Sequence, residues 1–302
     1  MSLILQSPSP FLKWPGGKRR LLSELRSRLP VKFGTYFEPF VGAGALLFDL
    51  QPKRFVISDR NAELMECYTA LQAAIGPLIA QLQRMENSKE VYLAIRELDR
   101  NPDYKRFPMI DRVARFIYLN RTCFNGLHRV NGQGFFNVAF GDYKNPRICD
   151  DWGLVAVHTY LRGTPKAKRI MCGDYRAALR SARAGDFVYL DPPYDGTWNE
   201  YQAGGFGVTD QIKLAEVFAE LTKAGVQVML SNSNTALIQQ LYGRYHVGVV
   251  NAVRSISCNG NRDKAQEVIV TNYPPQFSLT EPMGSALALS GKPEKTLEKY
   301  RE

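Results

Sequence analysis

Histidine is nearly absent from the chain, with three residues in 302, and the five cysteines (Cys67, Cys123, Cys149, Cys172 and Cys258) are scattered, with no CxxC pair. That scarcity argues against a zinc site and against a disulfide framework, so no metal is expected and the thiols read as buried core residues. No apolar run approaches the ~18 residues that a membrane span needs, and the first ten residues lack a basic stretch followed by an apolar one. The expectation is a cytoplasmic protein with no membrane partner. Repeats and low-complexity tracts are missing too, which excludes solenoids and arrays. Acidic residues are in the minority, 29 against 39 Lys and Arg, for a formal charge of +10. The excess is local: residues 96 to 183 carry seventeen Lys or Arg against eight Asp or Glu, a net of +9 interleaved with aromatics. A basic stretch of that kind is expected to meet phosphates, although a solvated face with no partner would look the same.

What the chain does have is Asp191-Pro192-Pro193-Tyr194, placed directly after the apolar run of residues 187–190. Two prolines cannot extend a ladder, so a strand stops here and leaves the carboxylate at its carboxyl edge, the edge where open α/β sheets bind ligands. Tyr194 offers a flat face on which a base could stack. The plainer alternative is a strand-ending turn whose Asp caps a neighbour and whose Tyr is core.

Earlier in the chain, Phe11-Leu12-Lys13-Trp14-Pro15-Gly16-Gly17-Lys18 is an extended segment ending in a Pro-Gly-Gly turn, where the glycines permit close approach of a ligand. Trp14 would also serve as a core residue. Thr35 to Gly44 reads as a strand running into a glycine-rich turn, with a helix after it. Position 47 is Leu where the dinucleotide fingerprint needs a third Gly or Ala, so the turn suits a nucleotide-like ligand without a pyrophosphate. A second strand ends at Asp59, seventeen residues beyond Gly42, where a carboxylate can accept both hydroxyls of a ribose or favour a helix N-terminus.

From residue 62 to about 120 the pattern is helical: Leu64, Tyr68, Leu71, Ile75, Leu78 and Leu82 form a stripe broken at Gly76-Pro77, Ser88 opens a second helix and Ile110 a third. A basic loop and an Asn-Gly-Gln-Gly hairpin signal follow, and a two-stranded ribbon is an element able to enter the DNA major groove. Strands resume at 169–174, 187–190 and 226–231, with a helix over 209–223 and a terminal antiparallel pair at 245–250 and 266–271. The expected fold is α/β: a doubly wound sheet from residues 1–60 and 165–273, an inserted helical and hairpin domain over 61–164, and a flexible tail over 274–302.

Taken together, the motifs identify the chain as similar to the Dam-type DNA adenine-N6 methyltransferases, over nearly its whole length. The carriers, in the family's order, are Lys13-Trp14-Pro15-Gly16-Gly17-Lys18, Phe37-Glu38-Pro39-Phe40-Val41-Gly42-Ala43-Gly44, Ser58-Asp59, Leu119-Asn120-Arg121 with Phe124-Asn125-Gly126-Leu127, Asp191-Pro192-Pro193-Tyr194, and Arg254-Ser255-Ile256-Ser257. The resemblance implies a Rossmann-like class I methyltransferase sheet with an inserted target-recognition domain. It also implies that S-adenosylmethionine is the methyl donor, surrounded by Trp14, Lys18, Glu38, Phe40, Gly42, Asp59, Asp174 and Asp191.

Duplex DNA is the implied partner, with no obligate protein partner, and GATC the implied site. Asp191, Pro192, Pro193 and Tyr194 would act on a flipped-out adenine. Arg129 would read guanine, Phe124 would wedge into the stack and Asn125 would sit beside the opened pair. Arg121, Asn137, Ala139 and Tyr143 would contact the DNA around them. Two departures bear on the outer target base: Ala139 stands where the family usually has Pro, and Asp142 follows Gly141 where a base is common. N4-cytosine methylation is the nearest alternative chemistry, and a DNA-binding regulator without catalysis the alternative of another class. C5-cytosine methylation needs a thiolate nucleophile, usually after a proline, and no cysteine here follows one.

Overall fold

The computed structural model describes residues 6–162, 167–196, 205–252 and 265–275. The Arg254-Ser255-Ile256-Ser257 motif, Cys258 and residues 276–302 of the expected tail lie outside the described residues. Two compact units divide the chain: among the described residues, 6–22, 35–162 and 167–181 belong to the first, and 23–34, 182–196, 205–252 and 265–275 to the second. Compactness therefore groups residues 61–162 with the first strands, whereas the sequence pattern sets 61–164 apart by function. A five-residue helix, α1 (Leu22–Arg26), falls at a junction of the two units.

In the first unit, β1 (Tyr36–Glu38), β2 (Phe55–Asp59) and β3 (Lys168–Cys172) are parallel, with β2 in the middle and registers Glu38↔Ile57 and Asp59↔Cys172. Phe55, Val56, Ile57 and Ser58 are all buried, the unbroken run of a parallel strand covered on both faces. β3 has a partner on one side only within this unit, and its last residue, Cys172, is exposed. That corrects the expectation of uniformly buried thiols, which Cys67 and Cys123 do meet.

Among the described residues seven α-helices belong to this unit: α2 (Ala45–Leu50), α3 (Ala62–Ala73), α4 (Ile75–Gln83), α5 (Lys89–Glu97), α6 (Met109–Thr122), α7 (Asp151–Leu161) and α8 (Tyr175–Leu179). Five of the six residues of the expected stripe, Leu64, Tyr68, Leu71, Leu78 and Leu82, are buried, each contributing about 2 kcal/mol, while Ile75 is half-buried. The break in the stripe comes at Ala74, whose extended backbone ends α3. Gly76 and Pro77 sit in the first turn of α4, where the missing proline N–H is no loss. Ser88 caps α5 by accepting from the Val91 N–H at 3.2 Å.

The expected hairpin forms two isolated antiparallel bridges, Val130↔Phe136 and Cys123↔Phe140, and no continuous ladder. Three of its amides turn to side chains, Phe136 N donating to Asp99 and the Gln133 and Phe135 amides to the Asn131 side chain, while Asn131 N and Asn137 N donate across the hairpin to Phe135 O at 2.9 Å and Arg129 O at 3.1 Å.

In the second unit, β4 (Phe187–Leu190) and β5 (Gln227–Ser233) are parallel, and β7 (Ala265–Thr271) runs antiparallel to both β5 and β6 (His246–Ala252). Helices α9 (Val208–Lys223) and α10 (Ala236–Tyr242) accompany them. The seven strands are mostly parallel and alternate with helices, the Rossmann-like α/β class expected. No helix among the described residues is long and apolar enough to cross a membrane.

Candidate active site

The glycine turn after β1 is built around Asp59. One carboxylate oxygen accepts the Gly42 N–H at 3.2 Å and the other the Asn61 N–H at 3.0 Å, so Asp59 ties the turn to the start of α3. The cap of α3 is Asn61, which accepts from Leu64 N, so Asp59 itself is not the helix cap. Burial pushes the Asp59 carboxyl above its ordinary range, and the amides of Asn61, Gly42 and Arg60 oppose that rise. Gly42 has φ +49°, and a Cβ there would stand 2.9 Å from Cδ1 of Trp14, so only glycine lets the indole lie on this backbone. Tyr68 donates to the Gly42 carbonyl at 3.0 Å. Phe40 stacks on Tyr175 at 5.2 Å, beside Asp174, which is exposed and accepts from Arg176 N at the start of α8. Glu38 and Lys18 are buried, Glu38 accepting from the Tyr36 hydroxyl at 2.9 Å and Lys18 donating to the Gly16 carbonyl at 2.6 Å.

The loop after α6 is laced to the Trp14 segment. Asn120, buried at the end of α6, accepts from Lys13 N at 2.9 Å and donates to Lys13 O at 2.7 Å and Gly126 O at 3.1 Å. The Arg121 guanidinium points inward and donates to Phe11 O at 2.7 Å, so this residue braces the same segment. His128 packs between Trp14, Phe116 and Phe136, with ring centroids 5.3 to 5.9 Å apart. Its Nε2 stands 3.6 Å from a Glu63 carboxylate oxygen, longer than a full hydrogen bond.

The outer side of the loop carries the expected reading residues. Phe124 is 53% exposed, which rules out the core role open to it in sequence. Its amide donates to Ala139 O at 2.8 Å. That bond uses a carbonyl, which proline also has, so Ala in place of Pro leaves it intact. Asn125 is exposed and donates its amide to the Tyr143 hydroxyl at 2.9 Å. Arg129 is exposed and its Nε donates to the Asn137 side chain at 2.8 Å. Much of the local positive charge is used internally: Arg100 and Arg115 pair with Asp99, Arg112 with Glu66, and Arg147 with Asp150.

In the second unit, buried β4 delivers Asp191 at its carboxyl end, and the Pro-Pro turn follows as read from sequence. Asp191 Oδ1 accepts from Ser231 Oγ at 2.7 Å. Pro192 is buried, and the Pro193 carbonyl accepts from Gln211 on α9 at 2.9 Å. Tyr194 donates its hydroxyl to Glu267 at 2.8 Å, and burial, with the nearby Asp191 carboxylate, drives its phenol well above the ordinary range.

Residues 14–256 match the family model of the D12 class N6 adenine-specific DNA methyltransferases. The chain belongs to that family. It is 41% identical over 272 residues to the type II methyltransferase M1.LlaDCHI of Lactococcus lactis subsp. cremoris, covering 87% of this chain and 95% of that one. Against the type II methyltransferase M.MjaIII of Methanocaldococcus jannaschii the identity is 39%, over 87% and 99% of the two chains. A DNA adenine methylase of Vibrio cholerae is 34% identical, over 87% and 96%. Membership makes this chain an adenine-specific DNA methyltransferase whose substrate is DNA. The sequence reading missed Asn120 as a clamp, His128, and the buried polar set Gln211, Ser231 and Asn232 that surrounds the Pro-Pro turn of this methyltransferase. Three polar residues in succession at 231–233, closing the strand after its apolar run, are the available signal.

Proposed function

We propose that the protein transfers a methyl group from S-adenosylmethionine to N6 of an adenine flipped out of duplex DNA, within GATC. The observation that carries the reading is the Asp191-Pro192-Pro193-Tyr194 turn at the carboxyl end of β4 in a chain of this family. The donor brings an electrophilic methyl group on a sulfonium. The glycine turn is suited to such a ligand: Asp59 stands at the end of β2 to accept ribose hydroxyls, Trp14 supplies an apolar wall over Gly42, and no phosphate cradle is needed.

The amine of adenine is a poor nucleophile because its lone pair is delocalised into the ring. In the proposed step the Asp191 carboxylate and the Pro192 carbonyl accept its two N–H bonds, favouring a pyramidal nitrogen with a directed lone pair. No covalent enzyme intermediate is needed. Because the nitrogen lies within the stack, the base must leave the duplex, and Tyr194 would stack on it. Phe124 would fill the space left behind, Asn125 would meet the opened pair, and Arg129, braced by Asn137, would read guanine O6 and N7 in the major groove. Asp191→Ala is expected to abolish methyl transfer while DNA and donor binding persist in equilibrium titrations. Turnover near wild type would remove Asp191 from the chemistry.

A further inference from the structure

Two polar side chains converge on the Asp191 turn from the end of β5, Ser231 and Asn232. In the parallel register of β4 and β5, Leu190 is opposite Leu230, so Asp191 and Ser231 are the next pair and share one face of the sheet. Ser231 is fully buried and its hydroxyl donates to Asp191 Oδ1 at 2.7 Å. Tyr189, 1% exposed on that same face, has its hydroxyl 2.9 Å from Ser231 Oγ. A serine hydroxyl has one proton, and an ionised carboxylate can only accept, so the proton count runs Tyr189 to Ser231 to Asp191. On the other face Asn232, also fully buried, donates to Gln211 Oε1 at 3.1 Å and accepts Asp195 N at 2.9 Å, while Gln211 donates to Pro193 O.

We propose that Ser231, itself directed by Tyr189, is the positioning residue that sets the rotamer of the Asp191 carboxylate for its approach to the adenine amine. A carboxylate has about four acceptor directions, and a buried donor that occupies one of them restricts rotation about the last side-chain bond. Asn232 and Gln211 hold the backbone that follows, so the turn is braced from both faces of β5. The inference rests on the proposed role of Asp191.

Three proteins, the wild type, Ser231→Ala and Tyr189→Phe, are compared for steady-state methylation of duplex DNA, donor titration and thermal melting. Loss of orientation without loss of fold predicts that Ser231→Ala lowers kcat about 10- to 100-fold, with donor affinity and KM for DNA within about threefold of wild type. Tyr189→Phe should give a smaller fall of the same kind, and Ser231→Thr, which restores the hydroxyl, should recover part of kcat. Unchanged kcat in Ser231→Ala would overturn the proposal. So would a fall in kcat matched by a fall in melting temperature and not relieved by Thr, since that pattern marks a purely structural hydrogen bond. Failure of the wild type to form N6-methyladenine would instead overturn the reading on which the proposal stands.

Discussion

Replacing Asp99 by Ala removes one carboxylate that serves three donors in the first unit. Its Oδ2 forms an ion pair with Arg115 Nη2 at 2.7 Å and accepts Phe136 N at 2.7 Å, and its Oδ1 accepts Arg100 Nη1 at 2.8 Å. Arg115 is 1% exposed, so the substitution strands a guanidinium away from water. Breaking a buried ion pair from one side costs about 3–5 kcal/mol. Arg115 keeps the carbonyls of Ile95 at 3.0 Å and Arg96 at 2.9 Å, with Glu63 at 3.5 Å, which places the loss at the low end. The orphaned Phe136 amide adds about 1 kcal/mol. The expected total is about 3–4 kcal/mol, or a melting temperature lower by roughly 6–12 °C in thermal scans followed by circular dichroism. Asp99→Asn keeps an acceptor and should lose about half as much. Asp99→Ala combined with Arg115→Met, which removes both charges, should be less damaging than Asp99→Ala alone. A loss under about 1 kcal/mol for Asp99→Ala, or a double variant worse than the single ones combined, would refute the assignment of Asp99 as the partner that holds Arg115 and the Phe136 amide.

Two further outcomes follow from the same unit. Asn120→Ala leaves both backbone groups of Lys13 and the Gly126 carbonyl without their partner, so stability should fall by about 2–4 kcal/mol and donor affinity with it, because Trp14 is the next residue; unaltered donor titration would mean that the clamp does not shape the pocket. Burial alone would raise the Glu63 carboxyl, but His128 and then Arg115 outweigh it and hold the group below its ordinary value. A depressed carboxyl contributes stability above its unfolded value, about 4.3, and loses it as pH falls through the folded value, so the gap between wild type and Glu63→Gln should be present at neutral pH and close below about pH 4; a gap constant across that range would contradict the pairing.

How much was legible depended on whether a residue's role is local. The Pro-Pro stop after an apolar strand, the cap at Ser88 and the helical stripe from Leu64 to Leu82 are written in neighbouring residues, and the structure places them there. Arg115 is different. It was read within a basic stretch awaiting phosphate, yet it is buried against an aspartate sixteen residues earlier, and only packing between α5, α6 and the turn after α5 brings the two together. Asn120 and Ser231 were hidden for the same reason: a polar residue at the end of a helix or strand looks solvated until its long-range partners, Lys13 and Asp191, are placed. Phe124 shows the reverse, an aromatic that periodicity leaves undecided and that exposure decides.

N6-methylation of adenine through the Asp191 turn is tested most directly by single-molecule sequencing of unmethylated duplex DNA treated with the purified protein and S-adenosylmethionine, beside the same reaction with Asp191→Ala. N6-methyladenine is expected at GATC with wild type, and no mark with the variant. N6-methyladenine in another sequence would keep the chemistry and overturn the assigned reading residues. N4-methylcytosine, or marks that persist in Asp191→Ala, would rule out adenine methylation through Asp191.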